Sequence, residues 1–172
     1  MRSERTKKIV FTALMIALQV VLERVLAINT ATVKIGFGFL PLVITAILYG
    51  PAYAAVGGAL ADIIGALVFP AGAYFPGFTV TAALVGMVYG LYLYKLDSRE
   101  KKPAVIRSFL AVLTVALAFT LVVNTLMISI VINKGVVALL PSRLIQAGEM
   151  IVVQTIVIPI IAKKLCPVIR RI

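Results

Sequence analysis

Residues 107–132 read RSFLAVLTVALAFTLVVNTLMISIVI, and no position after Arg107 in this run carries a charge. About 20 apolar residues in helical conformation cross the hydrocarbon of a bilayer. This stretch exceeds that length and lacks the polar face that a water-exposed helix needs. It is read as a membrane-spanning helix, and it decides the class of the fold.

Working outward, the same pattern recurs at residues 8–28, 36–50, 52–69, 79–94 and 144–163, making six apolar segments with the first one quoted. The breaks between them have local causes. Tyr49-Gly50-Pro51 predicts a tight turn, because proline lacks an amide proton and fixes its own dihedral. Residues 69–78, FPAGAYFPGF, hold two prolines and two glycines and are not expected to be regular helix. A further break is expected around Asn133-Lys134-Gly135 and Pro141. The second and fourth segments, at 15 and 16 residues, are short for a full crossing. Short or interrupted segments are also where transporters build sites from irregular backbone.

Composition agrees. The chain is 62% hydrophobic and only 13% charged, against roughly a quarter charged in soluble domains. A soluble fold of 172 residues cannot hide that much apolar surface. Net charge is +11, which could suggest nucleic acid. Here the cations instead sit in short clusters between apolar runs, where membrane topology places them, so no nucleic-acid partner is expected. Thirteen of the seventeen fall at the N-terminus, in the 95–107 connection and at the C-terminus. The positive-inside rule puts those three places in the cytoplasm, which an even number of crossings requires. The basic start before an apolar run also has the outline of a signal peptide. The later segments keep the chain in the membrane whether or not that one is removed. The expected fold is therefore an all-α bundle of six transmembrane helices, one membrane domain over residues 1–172, with both termini cytoplasmic.

Histidine is absent and Cys166 is the single cysteine. That removes the commonest catalytic base and metal ligand, and one thiol makes no intrachain disulfide. No P-loop, nucleophile-elbow or metal-binding spacing is present. Neither an enzyme nor a metal site is expected.

Ionisable residues within apolar segments are costly and become functional candidates. Glu23, Arg24, Asp62, Arg143 and Glu149 all fall in the outer halves of their segments. Arg24 either snorkels or pairs with Glu23, or it offers its planar fork to a ligand carboxylate. Asp62, among small residues that let another helix approach, either accepts structural hydrogen bonds or meets a ligand. Arg143, Gln146 and Glu149 share a helix face at three-residue spacing. They either satisfy one another or flank a polar ligand. Asn124 either bonds a neighbouring helix or contacts a ligand. Phe37, Phe39, Tyr74, Phe75 and Phe78 gather at the outer side, as an interfacial belt or as an aromatic cap suited to a flat heterocycle.

These motifs carry a resemblance. Ile35-Gly36-Phe37-Gly38-Phe39-Leu40-Pro41-Leu42, Tyr49-Gly50-Pro51, the small-residue run from Gly57 to Gly65, and Gly72-Ala73-Tyr74-Phe75-Pro76-Gly77-Phe78-Thr79 resemble the S components of energy-coupling factor (ECF) vitamin transporters. Tyr74 to Thr79, Asn124-Thr125-Leu126 and Pro141-x-Arg143 look like the folate branch. The resemblance implies a substrate-binding subunit of an ABC importer in the cell membrane. Such a subunit captures folate at an outward-facing site. It works with the membrane coupling protein EcfT and two cytoplasmic ATPases, which use the ATP and topple it to release the vitamin. It implies no cofactor in this chain. Ala13-Leu14-Met15-Ile16-Ala17 matches the family's Ala-x-x-x-Ala docking signature. The substrate residues implied are Arg24, Lys34, Phe37, Phe39, Asp62, Tyr74, Phe75, Phe78, Asn124, Arg143, Gln146 and Glu149. Asp62 or Glu149 would accept pterin N–H groups, and Arg24, Lys34 or Arg143 would meet the glutamate carboxylates. The alternatives are another vitamin or heterocycle, a stand-alone secondary transporter, and a membrane enzyme of lipid metabolism.

Overall fold

The computed structural model describes residues 2–29, 34–70, 74–95, 101–132 and 135–164. Six helical rods make up the bundle. The first is α1 (Arg2–Val20), prolonged by a π-helical turn over Val21–Val25. Then come α2 (Phe39–Tyr49), α3 (Pro51–Val68) and α4 (Pro76–Leu93). The fifth rod is unbroken: α5 (Lys101–Thr114), a π-helical stretch over Val115–Val123, and α6 (Asn124–Ile132). The sixth is α7 (Val136–Lys164). α3, α4, the fifth rod and α7 are each long and apolar enough to cross a membrane.

Several boundaries differ from the sequence reading, each for a physical reason. The first helix ends at Val25, not near residue 28. Beyond it a two-residue antiparallel ribbon pairs β1 (Ile28–Asn29) with β2 (Lys34–Ile35), in a segment rich in β-branched residues. α4 begins at Pro76, inside the stretch read as irregular, because proline is pre-organised for the first position of a helix. The break before the last rod lies ahead of Val136, and Pro141 is carried inside α7. Pro141 is the sixth residue of α7, so it removes one intrahelical hydrogen bond without ending the helix.

α2 has eleven residues, a length of about 16 Å, roughly half the hydrocarbon thickness. Every residue from Pro41 to Ile47 is buried. A helix apolar all round belongs in an interior, and α2 is surrounded by α1, α3, α4 and α7. The irregular backbone of residues 36–38, with Gly38 in a turn, completes its path outward. Such backbone is tolerated at membrane depth where it lines a cavity.

α3 and α4 form the closest pair. A β-carbon at Gly86 or Gly90 would collide with the backbone of Ala54 or Pro51 respectively, and one at Gly58 would stand 2.5 Å from the Ala82 carbonyl oxygen. Small residues four apart make a flat stripe, which lets membrane helices pack by direct backbone approach. The Gly50 turn joins α2 to α3 at φ 87°, a conformation that suits glycine. The Tyr94 ring covers it. The inner half of the bundle is a largely apolar core: Val43, Ile47, Leu93, Val112 and Ile158 are fully buried there. Six rods put both described ends on one side, the side the basic residues assign to the cytoplasm. Of those residues, Arg99, Arg170 and Arg171 lie outside the described ones.

Candidate ligand-binding cavity

Above the apolar core is a cavity of about 660 Å³ to which every rod contributes. Its walls come mainly from the outer halves of the rods, the ends of the odd-numbered ones and the beginnings of the even-numbered ones, with Tyr89 and Gln154 reaching it from further in. The site therefore lies away from the basic end. The small aromatic loop before α4 and the Gly36–Gly38 backbone flank it.

The π turn ending α1 carries Arg24 across α3 towards Asp62. Its Nη2 stands 3.8 Å from Asp62 Oδ1, and both side chains are about four-fifths buried, at 18% and 19% exposure. Gly65, one turn beyond Asp62, supplies the notch: a β-carbon there would lie 2.9 Å from Arg24 Nε. The other oxygen of Asp62 accepts a hydrogen bond from Thr79 Oγ1 at 2.7 Å. Having given its proton to the carboxylate, Thr79 can only accept from Tyr74 OH, 2.8 Å away. The chain Tyr74 to Thr79 to Asp62 is therefore directional. It ties the loop over the cavity to α4, α3 and, through the ion pair, α1. Phe75 and Phe78 pack edge to face at 5.9 Å and line the same side.

The floor is neutral and polar. Tyr89, 1% exposed, donates to Gln154 Oε1 and so joins α4 to α7 beneath the cavity. Gln19 and Asn124 reach the lining from α1 and α6. Asn124 Oδ1 is buried and has no hydrogen-bond partner among the described residues. An unmatched buried acceptor beside an open cavity is a group waiting for a donor.

Of the residues expected from sequence, Arg24, Phe39, Asp62, Tyr74, Phe75, Phe78, Asn124 and Gln146 line the cavity. Phe37, Arg143 and Glu149 are outside the lining. Phe37 is 45% exposed at the outer surface, and Arg143 donates to Gln146 at 2.7 Å. The side chain of Lys34, and Gly72 and Ala73 of the expected cap, lie outside the described residues. Arg24 pairs with Asp62, and Arg143 bonds the amide of Gln146. Asp62 accepts a hydrogen bond from Thr79 and faces Arg24 as an ion pair. Gln19, Tyr89 and Gln154 were not anticipated. The two glutamines are detectable as amides within apolar runs, by the reasoning that found Asn124. Tyr89 gives no such signal, since tyrosine reads as an interfacial residue. Ala13 and Ala17 are exposed on a face of α1 turned away from buried Thr12, Ile16 and Gln19 by about a third of a turn.

A family model described as "ECF-type riboflavin transporter, S component" matches residues 3–165. The folate transporter FolT of Clostridium novyi (strain NT) is 36% identical over 155 residues, covering 90% of this chain and 87% of that protein. The folate transporter FolT of Leuconostoc mesenteroides is 36% identical over 92 residues, covering 54% of this chain and 49% of its own. A crystal structure of FolT bound with folic acid superposes with a TM-score of 0.82 at 33% identity, covering 94% of this chain and 97% of that one.

Proposed function

The chain belongs to the S components of ECF-type transporters, a family of membrane transport subunits and not of enzymes, and on that premise we propose that its cavity captures folate from the outer side of the membrane. The observation that carries this reading is the division of the cavity into a charged, aromatic mouth and a neutral amide floor. Folate has the matching division. Its pterin is flat, uncharged and rich in hydrogen-bond donors and acceptors, and its tail ends in two carboxylates. The pterin fits inward, where Asn124 Oδ1 lacks a donor. The tail fits outward, near Arg24. That guanidinium has five donors, and its Nη2 stands 3.8 Å from Asp62 Oδ1. The folate names of the relatives and of the folic-acid-bound neighbour support this assignment.

A second reading is favoured by the description of the family model, which names riboflavin. The flavin ring is flat as well, but riboflavin carries no carboxylate to add to the Arg24–Asp62 pair. Calorimetric titration of the purified chain with folic acid and with riboflavin decides between them. Tight binding of folic acid with weak or no binding of riboflavin is expected; the reverse sinks the folate assignment.

Among the described residues the inner half beneath Tyr89 and Gln154 is filled by buried, mostly apolar side chains. Delivery then needs movement of the whole subunit, by toppling on EcfT driven by the two partner ATPases. The exposed Ala13 and Ala17 support a close helix contact on that face. Replacing both with leucine is expected to abolish folate uptake by the assembled transporter and to leave folic acid affinity of the isolated chain within about twofold, because their face is remote from the cavity. Uptake and equilibrium binding measured on the same variant check this.

A further inference from the structure

We infer that Arg143 is a positioning residue that locks the Gln146 amide, so that Gln146 meets the ligand as a hydrogen-bond donor. The two side chains lie one turn apart on α7, and Arg143 Nη1 donates to Gln146 Oε1 at 2.7 Å. A guanidinium has no acceptor, so the amide oxygen has to be the atom turned towards Arg143. The N–H₂ end is left as the face Gln146 can offer to the cavity it lines. No hydrogen bond of that end to the protein is present among the described residues. Arg143 is itself outside the lining, and its Nε is buried without a partner. Retaining a half-buried cation with one buried, unpartnered N–H is costly, and packing alone does not explain it.

Position says what Gln146 would meet. It stands eight residues outward of Gln154 on the same helix, a rise of about 12 Å. That places it well above the neutral floor, beside the outer part of an elongated ligand. The matching group is an acceptor oxygen of the benzoylglutamate portion, an amide carbonyl or a carboxylate. This inference rests on the folate reading.

Four variants test it in calorimetric titrations with folic acid and with a tail-less pterin such as 6-hydroxymethylpterin. Gln146→Glu keeps an oxygen for Arg143 and replaces the donor face by an anionic acceptor. It is expected to lower folic acid affinity by about tenfold or more, the scale of one charge-assisted hydrogen bond, with the unliganded melting temperature held or raised. Arg143→Met is expected to lower folic acid affinity by a similar factor without lowering that melting temperature, since the unpaired Nε is gone. Neither should change affinity for the tail-less pterin. In the Arg143→Met/Gln146→Ala double variant the loss should equal that of Gln146→Ala alone. Losses that multiply, undiminished affinity in Arg143→Met, or full affinity in Gln146→Glu overturn the inference while folate binding stands. A wild-type chain that does not bind folic acid overturns the folate reading and this inference together.

Discussion

Arg24→Ala is expected to weaken folic acid binding by ~2–5 kcal/mol, the range for truncating one member of a buried charged pair, or at least about thirtyfold in Kd. Two effects combine. The ligand carboxylate loses its cation, and Asp62 keeps its charge in a largely buried place with only Thr79 donating to it. They can be separated. Asp62→Asn added to Arg24→Ala removes the orphaned charge, so it should restore melting temperature without restoring folic acid affinity. A tail-less pterin should bind wild type and the double variant equally. Arg24→Lys should recover only part of the loss, because a lysine keeps the charge but not the planar fork. Calorimetry with both ligands reads all of this, and unchanged folic acid affinity in Arg24→Ala would remove the residue from the site.

Gly86→Leu is expected to have the largest effect on stability, at about 3 kcal/mol, the upper part of the range for overpacking. A β-carbon at Gly86 would meet the carbonyl group of Ala54 and not the flexible end of a side chain. Lipid tails supply no hydrophobic drive between helices, so direct packing holds such pairs together. Pushing α4 from α3 would also part Thr79 from Asp62, so folic acid binding should fall with stability. Gly86→Ala should lie between. Leu91→Ala, at a side chain 64% exposed on the outside of the bundle, should stay within about 0.5 kcal/mol of wild type. Thermal unfolding in detergent measures the series. A Gly86→Leu chain that melts with wild type would mean that the α3–α4 contact is not what holds the hairpin.

The six rods were legible because a bilayer demands something local of the chain. Each crossing needs a long apolar run, and each break needs a residue that ends a helix. The run at 107–132, the Gly50-Pro51 turn and the basic clusters satisfy those demands within short windows. Errors came where one proline has two meanings. Pro76 and Pro141 read as breakers but sit at or near helix starts, and composition alone does not distinguish the two roles. The shortness of α2 was visible, but its place at the centre of the bundle was not.

The candidate site was half legible, because charge inside an apolar run is conspicuous. Arg24, Asp62 and Asn124 announce themselves by cost. Their partners do not, since pairing depends on how far each helix is rotated and how closely it approaches its neighbour. Arg24 sits beside Glu23 in the chain, yet a π turn and the notch at Gly65 carry it to Asp62. Arg143 is as conspicuous as Arg24, yet it faces Gln146 from behind the lining. Sequence alone determined that this protein lives in a membrane as a six-helix bundle with its polar groups towards the outer end, because lipid exclusion acts residue by residue. Only the tertiary structure decided which of those groups share a cavity and which hold the others in place, because that choice is made by helix rotation and by glycine notches that exist only once the helices touch.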